Sequence, residues 1–362
     1  MRSSRVTRLG LGGLGCVLLS VCAASPASSQ YTPEQFRADC LDGVTKLEER
    51  YRHCSGRYRI IETMPRVDWQ LIRDVEFAVS GEQWLIICHN LEEWRKGQLH
   101  KVHYQQSVRG ANSVYSFLLT GRYETRELRL ETYEMAEEVA SKPSGGGIRD
   151  MIAFWLSPIR APFSLRTLPL PALLRHPTFR VLKLRDGERE GVRVIRADFE
   201  VRPGQPFTDP RISWTREPVW GWFEVAPDQE WTVRAFEYTY MAPGHKPEIP
   251  LVKARVNGEV LYNIDFEGRP IVIQFKESTS WRDLPPDSMI EMKDIQIEYG
   301  PVSEDRFRLS YYGLPEPPGV TWVQERRTPV YVWLLVAAGV LLTLAVFFRW
   351  LARRLRRGHS EG

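Results

Sequence analysis

The sequence predicts an α+β ectodomain followed by one C-terminal membrane-spanning helix. Three observations carry this. One apolar stripe of helical period runs from Phe36 to Cys54, about a dozen alternating runs fill Arg57 to Tyr312, and Val330–Phe348 is uncharged.

The 362 residues are 43% hydrophobic and 26% charged, enough apolar material for a large core. The formal charge of +4 is unevenly spread. Arg2, Arg5 and Arg8 hold one share, and Arg349, Arg353, Arg354, Arg356 and Arg357 hold the other. What lies between is mildly acidic. A nucleic-acid partner is therefore not expected, since that footprint is a basic patch on the folded domain.

Residues 1–29 read as a secretory signal peptide. A positive start precedes the uncharged stretch Leu9–Ala24, and Ser25, Ala27 and Ser29 offer small-residue cleavage sites. The ectodomain is expected over 30–313, a Pro-rich spacer over 314–328, a transmembrane helix over 329–349 and a basic cytoplasmic tail over 350–362. Val330–Phe348 spans about 28 Å as a helix, close to the hydrocarbon thickness of a bilayer. Tyr331, Trp333 and Trp350 sit near its ends, and the arginines that follow place the tail inside the cell. The bilayer is thus one expected partner.

Thr32-Pro33-Glu34-Gln35 has capping-box spacing, with proline at the first helical position. Phe36, Cys40, Val44, Leu47, Tyr51 and Cys54 then share one face, and Gly56 is expected to end the helix. Strands are expected at Arg57–Met64, Trp69–Val79, Gln83–His89, Leu99–Val108, Ser113–Leu119 and Arg126–Ala136. Their short connections force antiparallel pairing. Lys142–Gly147 reads as a link, and Ile148–Leu156 as a short amphipathic helix. Pro158, Pro162, Pro169, Pro171 and Pro177 then punctuate an apolar stretch. Strands resume at Phe179–Leu184 and Val192–Val201, joined by an Asp186-Gly187 turn. Trp220–Val225 and Trp231–Tyr240 form a hairpin around Pro227-Asp228. Further strands are expected at Val252–Asn263, Ile271–Glu277, Ile290–Tyr299 and Phe307–Tyr312.

Cys40, Cys54 and Cys88 remain once the leader is gone. On one helix Cys40 and Cys54 would lie about 21 Å apart, too far to bridge. If the helix start lies over the end of the third strand, Cys40–Cys88 is the favoured disulfide; three buried free thiols are the alternative.

No motif announces catalysis or a cofactor. His100 and His103 lie three apart on a strand and so face opposite ways, as do Cys88 and His89. There is no Gly-x-Ser-x-Gly elbow and no phosphate loop after Gly145-Gly146-Gly147. Pro315-Glu316-Pro317 resembles an exosortase sorting signal but stands twelve residues before the helix, which favours a simple spacer. Aromatics are the unusual feature, with Trp214, Trp220, Trp222 and Trp231 in one stretch. They fill a core or line a cavity or groove for an apolar ligand, with Trp220 and Trp222 as candidate lining residues.

The helix, six strands, Pro-rich insert and further strands resemble the periplasmic lipoprotein carriers of the LolA, LolB and RseB type, over about residues 31–300. The hairpin Gly221–Val233 is similar to a recurrent element of that fold. Phe307–Pro317, followed by an apolar helix and arginines, is similar to the C-terminal ends of membrane-anchored secreted proteins of planctomycete-type bacteria, which have no established activity to carry over. The carrier resemblance implies a large curved antiparallel sheet, an incomplete β-barrel, wrapping a hydrophobic cavity with the helices as its lid. Trp155, Phe163, Leu170 and Leu173 would belong to that lid, and a lipid or lipoprotein would be the ligand. Soluble carriers shuttle, whereas this chain is expected to be tethered, so local binding or sensing is expected rather than transport. The expectation is a non-enzymatic, cofactor-free binding module. A structural component of the cell envelope is the alternative. A hydrolase is a third reading, and it would need Cys54 or His89 beside a base.

Overall fold

A computed structural model describes residues 30–102, 105–122, 127–137, 147–148, 152, 155–166, 168–202, 219–242, 252–265, 267–281, 284–320, 322, 337–345 and 347–349. The expected signal peptide, the link over 142–146, Trp214 and the basic tail lie outside them. Two units divide the chain, one ending at Pro315 and the other starting at Glu316.

Helix α1 spans Pro33–Arg50. Its capping box is complete: Gln35 N donates to Thr32 Oγ1 at 3.2 Å, and Thr32 N donates to Gln35 Oε1 at 3.2 Å. Phe36, Cys40, Val44 and Leu47 form its buried stripe. The helix stops at Arg50 rather than Gly56 because the chain turns into a strand at His53. Gly81 N donates to Arg52 O at 2.8 Å and fixes that turn. Gly56 belongs to the strand, where a Cβ would meet Gln296 O at 2.0 Å.

The first series of strands is β1 (His53–Met64), β2 (Trp69–Ser80), β3 (Gln83–Arg95), β4 (Gln98–Val102), β5 (Gln105–Ala111), β6 (Tyr115–Arg122) and β7 (Leu128–Met135). The second is β10 (Phe179–Arg189), β11 (Val192–Val201), β12 (Val219–Ala226), β13 (Thr232–Ala242), β14 (Val252–Ile264), β15 (Pro270–Trp281) and β16 (Ser288–Tyr299). Between the series, β8 (Ser164–Leu165) and β9 (Leu168–Pro169) pair only with each other. The large sheet runs β10 to β16 in chain order, then β1, β2, β3, β5, β6 and β7, with β4 on β3. Every pairing is antiparallel, and the first strand meets the last at Cys54↔Tyr299. The sheet is open: β10 and β7 do not pair with each other. Bulges at Arg57/Arg59, Val181/Lys183, Glu224/Val225 and Leu261/Tyr262 bend its strands.

Three expected elements take other forms. Leu99–Val108 is two strands rather than one. Lys96 and Gly97, at φ 51° and 69°, make a two-residue turn, so β3 extends to Arg95 and pairs with β4 at one end and β5 at the other. The β10–β11 turn is Glu190-Gly191, at φ 53° and 76°, not Asp186-Gly187, which lies within β10. Phe307–Tyr312 is not a strand but two 3-10 turns, Glu304–Phe307 and Leu309–Tyr312.

Those turns close a small second core on the outer face of the sheet. Phe307 and Leu309 are fully buried, as are Leu85, Val108, Tyr115, Phe117 and Leu119. Asn112 Nδ2 donates to Phe307 O at 2.8 Å, and Leu309 N donates to Tyr115 Oη at 3.0 Å. The Tyr312 ring lies 5.9 Å from that of Phe117. The main core lies on the inner face, beneath α1 and the residue 148–175 insert.

In the second unit, residues 337–345 and 347–349 are helical. Among the described residues no helix is long and apolar enough to cross a membrane, and 330–336 lie outside them.

Candidate functional site

The insert is broken by its prolines. Each removes a backbone donor and forbids a long helix. Only short elements follow: α2 (Ser157–Arg160), a 3-10 turn at Ala161–Phe163, the β8–β9 hairpin, and α3 (Leu170–Arg175). Each sends apolar side chains into the sheet. Ile148, Ile152, Leu156, Phe163, Leu165, Leu168, Leu170, Leu173 and Leu174 are all buried. They share one core with Phe36 and Leu47 of α1 and with Phe223, Phe236, Val256 and Phe275 of the sheet. The helix can lie close because of Gly43, where a Cβ would meet the Trp231 ring at 2.2 Å. Trp231 in turn lies 5.8 Å from Phe36.

Several polar contacts tie the described part of the insert down. Arg37 of α1 donates from Nε to Leu174 O at 2.7 Å and from Nη2 to His176 O at 3.1 Å. Tyr58 Oη donates to Trp155 O at 2.6 Å. Ile148 N donates to Glu134 Oε2 at 3.0 Å. Arg166, at φ 60° in the β8–β9 turn, pairs through Nε with Glu277 Oε1 at 3.0 Å and donates from Nη1 to Thr279 Oγ1 at 2.7 Å. Burial pushes the Glu277 carboxyl above the ordinary range, while Arg166 pulls it back down.

Of the residues singled out in the sequence, the structure unites Trp155, Phe163, Leu170 and Leu173 on the inner face. It separates Trp220 and Trp222 from them. Phe223 and Val225 take the inward positions of β12, so strand alternation turns the two tryptophans outward. Trp220 is 38% exposed, and Arg196 stacks over Trp222 at 4.0 Å.

The Cys40–Cys88 disulfide does not form, and Cys40, Cys54 and Cys88 are buried free thiols. The start of α1 lies over Phe223 and Trp231, not over the end of β3. Cys40 therefore sits above the second strand series and Cys88 within the first. Cys54 donates to Tyr51 O at 3.3 Å, and burial pushes its thiol up to about 12. His89 lies 3.9 Å from Glu76, while its neighbour Cys88 faces the core on the other side. Among the described residues, no three His, Cys, Asp or Glu side chains are grouped to hold a metal ion.

Sequence reasoning missed a basic cluster around Trp155. Arg73 of β2 stands 5.1 Å from the Trp155 ring and Arg109 of β5 stands 5.8 Å from it. Arg73 pairs with Glu62 at 2.9 Å. Arg109 Nη1 donates to Ser107 Oγ at 3.0 Å and meets Cys88 Sγ at 3.6 Å. Nearby, Arg160 lies over the Trp84 ring at 4.7 Å. The signal was present in the strand register. Arg73 precedes the inward Val75 by two residues, and Arg109 precedes the inward Ala111 by two, so each occupies an inward position.

No protein-family model matches the chain, and no curated protein matches it. Among solved structures, it is similar to a domain of an outer-membrane lipoprotein-sorting protein from Vibrio parahaemolyticus. That likeness has a TM-score of 0.40 and 10% identity and covers 77% of this chain and 100% of the other. It is also similar to a DUF1329 family protein from Desulfovibrio piger, at a TM-score of 0.39 and 9% identity, covering 78% of this chain and 100% of the other.

Proposed function

We propose that this chain is a non-enzymatic binding module for an apolar ligand, the acyl chain of a lipid or lipoprotein, and that it works outside the cytoplasm on a membrane tether. One observation carries the reading. The insert fills the inner face with apolar side chains, yet among the described residues its strands, β8 and β9, pair with each other and with no strand of the large sheet. It can withdraw without breaking a ladder, at the expense of a few side-chain bonds and its apolar contacts. That departure would expose a continuous apolar surface, which an acyl chain would cover in its place. The tether rests on the uncharged Val330–Phe348 and the arginines after it, and the leader on residues 1–29.

The test is photo-crosslinking of the full chain, in membranes, with a fatty acid bearing a diazirine in its tail. Adducts are expected on the insert and the inner face, at peptides containing Phe163, Leu170 or Phe223. Adducts confined to Val330–Phe348, or to the outward Trp220 and Trp222, would sink the reading. So would a variant with the insert cross-linked to α1 that takes up the probe as well as the parent chain does.

A further inference from the structure

The inner face and the elements over it are mostly apolar, and most of the arginines described there have oxygen acceptors that explain them. Arg37 binds two carbonyls, Arg73 binds Glu62 and Arg166 binds Glu277. Arg109 differs. Its Nη1 reaches only the Ser107 hydroxyl and the Cys88 sulfur, and its Nε is buried with no hydrogen-bond acceptor. Among the described residues no carboxylate pairs with it. A part-buried guanidinium lacking an anion is costly, because charge removed from water needs a partner.

Arg109 also has a fixed setting. It shares the Trp155 ring with Arg73, the two standing 5.8 and 5.1 Å from its centre, and the Trp155 carbonyl is held by Tyr58 Oη. Trp155 sits at the start of the insert and at the margin of its apolar core, half-buried. Cation, hydroxyl donor and aromatic face thus meet where the apolar surface gives way to polar side chains.

We infer that Arg109, with Ser107 beside it and Arg73 at the same Trp155 ring, is the subsite for the anionic head of an amphiphile. The tail would lie under the insert on the apolar face. This rests on the binding function proposed above and names the ligand class for it: a long-chain phosphate, bound through charge-assisted hydrogen bonds to the guanidinium.

The experiment uses the full chain in uncharged detergent micelles and compares three probes: hexadecyl phosphate, hexadecanol and inorganic phosphate. Hexadecyl phosphate is expected to bind about tenfold more tightly than hexadecanol, the scale of one hydrogen bond to a charged group. Arg109→Gln should reduce hexadecyl phosphate to the level of hexadecanol and leave hexadecanol unchanged. Equal affinities in the parent chain, or a preference that survives Arg109→Gln, would overturn the subsite while leaving the apolar-ligand function standing. Inorganic phosphate binding as tightly as hexadecyl phosphate would mean a free-anion site and overturn the amphiphile. Should neither amphiphile bind, the parent function fails and the subsite with it. If Arg109→Gln loses both amphiphiles through misfolding, Arg109→Lys keeps the charge and must keep the preference; its loss counts against the subsite.

Discussion

Arg166, in the two-residue hairpin of the insert, reaches down to Glu277 at the centre of the inner face, and their 3.0 Å ion pair joins two parts of the backbone that share no strand ladder. Glu277 is almost wholly enclosed, with Oε2 lacking a hydrogen-bond partner. The pair is the one ionic bond described between the β8–β9 turn and the sheet.

Its pH dependence has a definite sign. Burial raises the folded-state value of Glu277 above the ordinary 4.5. The folded chain therefore holds this proton more tightly than the unfolded chain does. Stability falls as pH rises from the ordinary glutamate value through the raised folded one, and the contribution is level above it. Glu277→Gln should abolish that descent, read as the difference in urea midpoint between variant and parent across the window. Arg166→Met should cost about 3–5 kcal/mol at neutral pH, where it strands a buried charge, and less in acid, where Glu277 is neutral.

Gly43 tests the seating of α1. Gly43→Ala places a methyl group against the Trp231 ring, where the gap is 2.2 Å. Helix propensity favours alanine by about 1 kcal/mol, but overpacking costs about 1–3 kcal/mol, so a net loss is expected. Trp231 should move, changing the near-ultraviolet circular dichroism. An unshifted spectrum with a gain in stability would contradict the close approach.

The outer-face core predicts a local effect. Tyr115→Phe removes the acceptor for Leu309 N, and Asn112→Ala removes the donor to Phe307 O. Each should cost about 1–3 kcal/mol, since a buried backbone group is left unpaired. Limited proteolysis should cut faster between Ser303 and Pro315 in either variant, with the inner-face core unaffected.

Free thiols make a plain prediction. Iodoacetamide should leave the folded chain unmodified at Cys40, Cys54 and Cys88, because all three are buried and burial raises each thiol. After unfolding without reductant, all three should react. Recovery of only one modified site would establish a disulfide.

Much of this fold was legible from local chemistry. The Thr32–Gln35 spacing marks the start of α1, and Val192–Val201 is a strand in both readings, because capping and alternation act over a few residues. Errors arose where distant contacts decide. Phe307-Arg308-Leu309 alternates like a strand, but Asn112 and Tyr115, nearly two hundred residues earlier in sequence, claim its backbone groups. Cys40–Cys88 was favoured from an assumed position of α1 that Trp231 overrules. Trp220 and Trp222 stand out by type, while the inward Val219 and Phe223 on either side of them fix the register against them. Arg109 was overlooked because a lone arginine in a strand ordinarily reads as surface.

The meeting of β1 with β16 has a consequence for assembly. Each strand series is built of neighbouring hairpins and can zip up by itself, whereas the Cys54–Tyr299 seam joins residues from nearly opposite ends of the sheet-forming chain. Closing that seam must await the last strand and bears the largest loop entropy in the sheet. Two preformed leaves, hinged late along one line, are the expected route to the native chain.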